Sequence, residues 1–209
     1  QSIELLLQEK VPTGAPMEFP QEDDVTPVRR AEQPSALLPW AVSHNGPVPQ
    51  IHYLSNGSYG VLITAAGAGF SQWNGFDLTR WRRDTTLEDT GTWLYVQDAE
   101  SGALWSATYQ PTGARAEASS THFHAGRAEY SRTDGGIALT TEIVVAPDDD
   151  VEIRRVTVLN ESDRSRRLVL TSYAEAVMAP PGGDVRHPAF NKLFIESEYL
   201  PELDALLFR

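Results

Sequence analysis

The sequence predicts an all-β chain built as a large antiparallel sandwich, and three observations carry that prediction. From Ile51 onward, short apolar and β-branched runs alternate with turn signals. Within them Ile137, Leu139, Thr141, Ile143 and Val145 recur at a period of two, as in a half-buried strand. No helical repeat separates the runs, so a sandwich fits better than an α/β fold.

Composition sets the bounds. The chain has 209 residues, enough for one large or two small domains, with 41% apolar and 22% charged residues. That is a globular balance. The net charge of −12 argues against a nucleic-acid partner and against direct contact with an anionic membrane. There is no cysteine, which excludes disulfides and thiolate chemistry. No apolar run approaches the ~20 residues of a membrane helix, and no signal-peptide pattern opens the chain, so a cytoplasmic location is expected. Residue 1 is Gln, and residues 203–209 read as a strand. Both ends lead us to expect a piece excised from a longer protein, truncated at its C-terminus.

Taken in order, residues 2–9 read as a short helix with Ser2 at its cap. Residues 11–50 hold eight of the chain's 14 prolines and read as a strap, anchored by Leu37, Leu38 and Trp40. The division expected is therefore residues 1–50 as helix plus proline-rich linker and residues 51–209 as the sandwich. Asn56-Gly57 marks a tight hairpin between the runs at 51–55 and 59–64. Residues 92–97 and 104–109 pair as the next hairpin, and 110–113 turn again. Runs at 121–126 and 128–132 lead to the turn at Asp134-Gly-Gly136. Val151 and Ile153 are apolar at odd positions but Val156 and Val158 at even ones, a phase slip that predicts a β-bulge near Arg154–Arg155. Residues 167–178 read as one long strand, 180–183 as a loop, and 192–199 and 204–208 as the last strands.

Residues 67–86 concentrate aromatics and arginines. Phe70, Trp73, Phe76 and Trp81 lie within a dozen residues, followed by Arg82, Arg83 and Asp84. Aromatic faces beside forked donors and carboxylates suit a pyranose, whose C–H face stacks while its hydroxyls hydrogen-bond. The candidate carbohydrate-binding residues are Phe70, Trp73, Arg80, Trp81, Arg82, Asp84 and Trp93. Equally, such residues build β cores and tie strands together. Asp84, Glu88 and Asp89 offer a conceivable acid/base set; carboxylates paired with arginine or solvated in a loop are the commoner case. His122 and His124 would share one strand face, with no third metal ligand nearby in sequence. Asp148-Asp-Asp150 reads as a turn, without the ligand spacing of a calcium loop. No catalytic residue, metal or cofactor is assigned.

Several motifs in succession resemble a known family. Residues 53–59 (YLSNGSY), 67–73 (GAGFSQW), 78–85 (LTRWRRDT), 91–98 (GTWLYVQD), 104–108 (LWSAT) and 187–194 (HPAFNKLF) resemble the N-terminal domain of glycosyltransferase family 36 / glycoside hydrolase family 94 proteins. Within that family the likeness is to the repeat domain of the cyclic β-1,2-glucan synthases. It runs across the whole chain, and residues 5–12 resemble the linker ahead of the domain.

The resemblance implies a galactose-mutarotase-like supersandwich. In related sugar phosphorylases this domain precedes an (α/α)6 barrel that carries the catalytic acid, and subunits pair there so that the β domain lies near the partner's active site. The expectation is a non-catalytic carbohydrate-binding or substrate-positioning domain of a glucan-processing transferase. Its partners would be a glucan or oligosaccharide, other domains of the parent chain and, through pairing, a second subunit. The alternative is a structural or assembly domain, packing on a barrel or a second copy without binding sugar itself.

Overall fold

The computed structural model describes residues 38–82 and 88–209. The helix expected over residues 2–9, the strap up to residue 37, and Arg83 and Asp84 lie outside the described residues. Among the described residues fifteen strands follow one another: β1 (Trp40–Val42), β2 (Ile51–Ser55), β3 (Tyr59–Thr64), β4 (Gly69–Trp73), β5 (Phe76–Thr79), β6 (Trp93–Asp98), β7 (Leu104–Ser106), β8 (Ala118–His124), β9 (Arg127–Asp134), β10 (Ile137–Val145), β11 (Glu152–Asn160), β12 (Leu168–Tyr173), β13 (Ala176–Ala179), β14 (Ser197–Leu200) and β15 (Ala205–Phe208). Two short helices, α1 (Gly183–Arg186) and α2 (Pro188–Lys192), precede β14. Among the described residues no helix is long and apolar enough to cross a membrane.

The strands form a five-stranded sheet β1-β8-β9-β10-β11, a second five-stranded sheet β13-β5-β4-β3-β2, a three-stranded sheet β12-β6-β7 and the hairpin β14-β15. The first sheet packs against both of the next two. Phe123, Ala128, Tyr130 and Ile143 from it meet Leu54, Val61 and Ile63 of β2 and β3. Ile137 and Leu139 meet Val96 and Trp105 of β6 and β7. The period-two face of β10 therefore serves two cores. Its first residues cover the three-stranded sheet, while Ile143, with the partly buried Val145 behind it, covers the second five-stranded sheet. All these core side chains are almost without exposure, so the layers exclude water along the whole strand.

Turn chemistry explains the hairpins. Asn74-Gly75 joins β4 to β5, both at positive φ (46° and 80°), as a two-residue turn needs. Asn56 closes the β2–β3 turn by accepting from the backbone of Ser58 and Tyr59.

Three expected features differ. β10 and β11 pair in unbroken register from Ile137↔Asn160 to Val145↔Glu152, so there is no bulge near Arg154–Arg155. The apparent phase slip arises because the inner-face positions 152 and 154 carry a charged pair, Glu152–Arg154 at 2.5 Å, while Ile153 faces outward and is 49% exposed. Residues 167–178 are two strands rather than one. The chain leaves β6 at Tyr173 and joins β5 from Ala176, changing sheets at Ala174–Glu175. The run from Lys192 begins as the end of α2, and the strand starts only at Ser197. Pro188 at the helix start favours that local turn over extension.

Candidate functional site

The change of sheets at Ala174–Glu175 builds the candidate site. β5 ends at Thr79, and the next residue, Arg80, donates its backbone N–H to the Glu175 carbonyl at 3.0 Å. Its guanidinium then reaches in two directions. Nη1 binds Glu175 Oε2 at 2.6 Å, while Nε and Nη2 grip the Asp184 carboxylate of α1 at 2.7 and 2.8 Å. Arg80 is 5% exposed and the Asp184 side chain 12%. The hydrogen bonds from Arg80 hold the Asp184 carboxyl below its ordinary range, and Asp184 in turn raises Arg80. One fork thus ties β5, the crossover and α1 together.

Beside this clamp lie two adjoining hollows of about 130 and 140 Å3, which share Arg82 and Thr90. The first is polar. Gly91, Trp93, Tyr173, Glu175 and the Arg82–Asp89 pair (3.4 Å) line it. A Cβ on Gly91 would sit 2.8 Å from the Trp93 ring, so only glycine permits this approach. Tyr173 donates to Glu175 at 3.3 Å and is half exposed; burial, and then the Glu175 charge, push its hydroxyl up. The second hollow is apolar. Ile51, Leu62 and Ala68 line it, with Trp81 packed on Phe70 at 5.0 Å between ring centroids. The result is one groove with an apolar, aromatic half and a hydrogen-bonding half.

The structure brings Arg80, Trp81, Arg82 and Trp93 to this groove, with Phe70 supporting Trp81. Trp93 is 4% exposed and offers the groove little surface, whereas Trp81 is only partly buried. Trp73 is elsewhere. It closes the β4–β5 hairpin opposite Tyr59, is 42% exposed, and donates its indole N–H to Asp150 at 2.5 Å. Asp84 lies outside the described residues. Of the carboxylates weighed for acid/base work, Asp89 pairs with Arg82, and Glu88 lines the apolar hollow at a positive φ of 44°. His122 faces outward on β8 with His124, whose ring stands 3.7 Å from Glu129.

Sequence reasoning missed Tyr173, Glu175 and Asp184. The last two meet Arg80 across 95 and 104 residues, a pairing without local signal.

The comparisons with known proteins agree with this architecture. Residues 39–209 match the family model "Glycosyl hydrolase 94, supersandwich domain". The chain is 38% identical over 202 residues to cyclic beta-(1,2)-glucan synthase NdvB of Rhizobium meliloti (strain 1021), covering 95% of this chain and 7% of that one. It is 28% identical over 125 residues to solabiose phosphorylase of Paenibacillus borealis, 60% of this chain and 16% of the other. It is 27% identical over 135 residues to N,N'-diacetylchitobiose phosphorylase of Vibrio proteolyticus, 62% and 17%. The chain thus spans less than a fifth of the length of each of these relatives. With the model matched across both packed layers, the chain belongs to the glycosyl hydrolase 94 supersandwich family.

Proposed function

We propose that this domain binds an oligosaccharide in the Arg80–Trp81 groove and positions it, without cleaving or transferring it itself. The observation that carries the reading is the juxtaposition of the two hollows: an aromatic, apolar half joined through Arg82 and Thr90 to a half lined by donors and acceptors. A pyranose has the same two-sided character. Three carboxylates there support positioning over catalysis, because Glu175 and Asp184 are committed to Arg80 and Asp89 to Arg82; Glu88 lines the apolar half. The sugar class follows from the relatives, which are named for a β-1,2-glucan and for disaccharides.

Calorimetric titration with β-1,2-linked gluco-oligosaccharides tests this. We expect binding on the order of millimolar, since few contacts offset the competition from water. Trp81→Ala should weaken it by roughly 5- to 150-fold, the equivalent of about 1–3 kcal/mol for one aromatic stack. Arg82→Ala, at a side chain 58% exposed, should weaken binding while leaving the melting temperature in place. Binding that ignores both substitutions would move the site elsewhere. Turnover of a nitrophenyl glucoside that Asp89→Asn abolishes would replace positioning with catalysis.

A second reading, assembly, has its own support. Val158 on the inner face of β11 and Leu170 on the inner face of β12 are 40% and 49% exposed, and both strands are sheet edges. Apolar inner faces at open edges suit packing against a barrel or a second copy. Sedimentation velocity across a concentration series, with Leu170→Glu as the control, separates self-association from a monomer.

A further inference from the structure

We propose a second sugar site, a crevice beside β8 that takes one pyranose unit. The inference rests on the reading of the domain as an oligosaccharide binder, and it concerns residues that the Arg80 groove does not use.

The crevice exists because β1 is short. Its three residues pair with Thr121–Phe123 and no further, so among the described residues Ala118–Ser120 have no strand on that side of β8. The chain departs instead through Ser43–Asn45. Between it and residues 107–117 opens a space of about 220 Å3, suited to a single hexose ring rather than a longer ligand. Its floor is made of small or buried side chains: Ala65, Ala107, Tyr130 and Arg132. One wall is a stacked aromatic pair, His44 on Tyr109, with centroids 4.1 Å apart and planes 20° from parallel.

The charges around the crevice offset one another, Arg115 against Glu117 and Arg132 against Asp134, which suits a neutral ligand. Arg132 is 5% exposed, and its charge is already matched. It forks onto Asp134 at 2.6 and 2.7 Å and donates to the carbonyls of Thr108 (2.7 Å) and Ala114 (3.2 Å). No cation is left at the floor to draw in an anion. What remains includes one charge of each sign, Arg115 and Glu117, beside uncharged groups: the Ser119 hydroxyl, the Asn45 amide and the Tyr109 hydroxyl make no side-chain hydrogen bond among the described residues. Ser119 shares the inner face of β8 with Thr121 and stands opposite Arg132. Donors and acceptors of offsetting charge around an aromatic wall and a floor of small side chains match a polyhydroxylated ring. The unpaired edge of β8 could also accept an extended peptide, but a peptide ligand leaves the aromatic wall and the closed floor without a role.

Amide chemical shifts of the 209-residue chain, titrated with a β-1,2-linked glucose tetrasaccharide, test the proposal. We expect one set of saturating shifts at Ala116–Ser120 and Tyr109, separate from a set at Thr90 and Tyr173. Ala116→Trp should fill the crevice and abolish the first set while keeping the second. Ser119→Ala, a change without bulk, should lower the crevice affinity about tenfold or less at an unchanged melting temperature. Shifts confined to Thr90 and Tyr173 would overturn the crevice and keep the groove; no shifts at all would overturn both. A strand-forming Val/Thr peptide that moves the Ser120 amide when the sugar does not would assign the edge to strand addition and sink the proposal.

Discussion

The two ends of the β4–β5 region use the same residue types to opposite effect. At one end, Trp73 donates to Asp150, Ser58 binds the same carboxylate, and Ser71 and Tyr59 donate to Glu152 at 2.6 and 3.3 Å. Arg154 completes the cluster by pairing with Glu152 and donating to the Thr92 carbonyl at 2.7 Å. Every polar group there meets another, and the cluster ties the β2–β3 turn to the β10–β11 turn. At the other end, Arg80 is equally committed, but around it Trp81, Arg82 and Tyr173 leave an open groove. Density of aromatics and arginines therefore does not mark a binding site. Unfilled space beside partly satisfied groups does.

The sharpest way to break this contrast is to cut the clamp at the groove. Arg80→Leu should cost about 3–5 kcal/mol of stability, chiefly because it leaves the nearly buried Asp184 without its partner; Glu175, 32% exposed, adds less. Trp93→Ala should cost about as much, by opening a cavity at a side chain 4% exposed. Urea unfolding measures both. A cost below about 1 kcal/mol for either would mean that the groove's frame is not rigid.

Acid unfolding tests the carboxylates at both ends by a different lever. Hydrogen bonds from Arg80 lower the Asp184 carboxyl, and the Ser58 hydroxyl, followed by the Trp73 indole, lowers Asp150. Away from both, Asp98 is fully buried, and the backbone N–H of Glu100, then Arg166 at 2.5 Å, hold its carboxyl far below the usual range. A depressed carboxyl contributes its stability fully above the unfolded value of about 3.9 and loses it as pH falls towards the folded value. Stability should therefore be flat with respect to these three groups above about pH 5 and fall below about pH 4. Asp98→Asn and Asp184→Asn should each flatten that fall while lowering stability at pH 7. A fall that both variants leave unchanged would put the acid-labile groups elsewhere.

How much of this was legible in the sequence depends on the range of the interaction. The alternation from Ile137 to Val145, the Asn56-Gly57 turn and the Asp134-Gly-Gly136 turn are local signals, and each lies where the hairpins form. Glu152 and Arg154 misled because a charged pair occupies inner-face positions; its partners are distant in sequence, Ser71 and Tyr59 on other strands and Thr92 just ahead of β6. The break between Tyr173 and Ala176 is hidden because β12 and β13 are both apolar and extended, and only their pairing partners differ. That break contributes Tyr173 and Glu175 to the groove. Asn74-Gly75 was the available signal that Trp73 and Trp81 would part, since a hairpin there reverses the chain between them.

The smallest expected effect discriminates best between the two ends. Trp73 is 42% exposed, and its one hydrogen bond goes to the exposed Asp150. Trp73→Phe keeps the ring against Tyr59 and removes only that hydrogen bond, so it should cost about 0.5–1.5 kcal/mol of stability. Trp73→Ala adds the loss of cross-strand packing on Tyr59 and Phe76, about 0.2–1 kcal/mol per pair. Neither should alter oligosaccharide affinity, because Trp73 lines neither hollow of the groove. Calorimetry on Trp73→Ala beside Trp81→Ala reads the difference directly: lost binding in the second and retained binding in the first keep the two ends distinct. If Trp73→Ala loses binding instead while its melting temperature holds, the exposed indole is itself the stacking platform, and the binding face runs along the hairpin rather than through the groove.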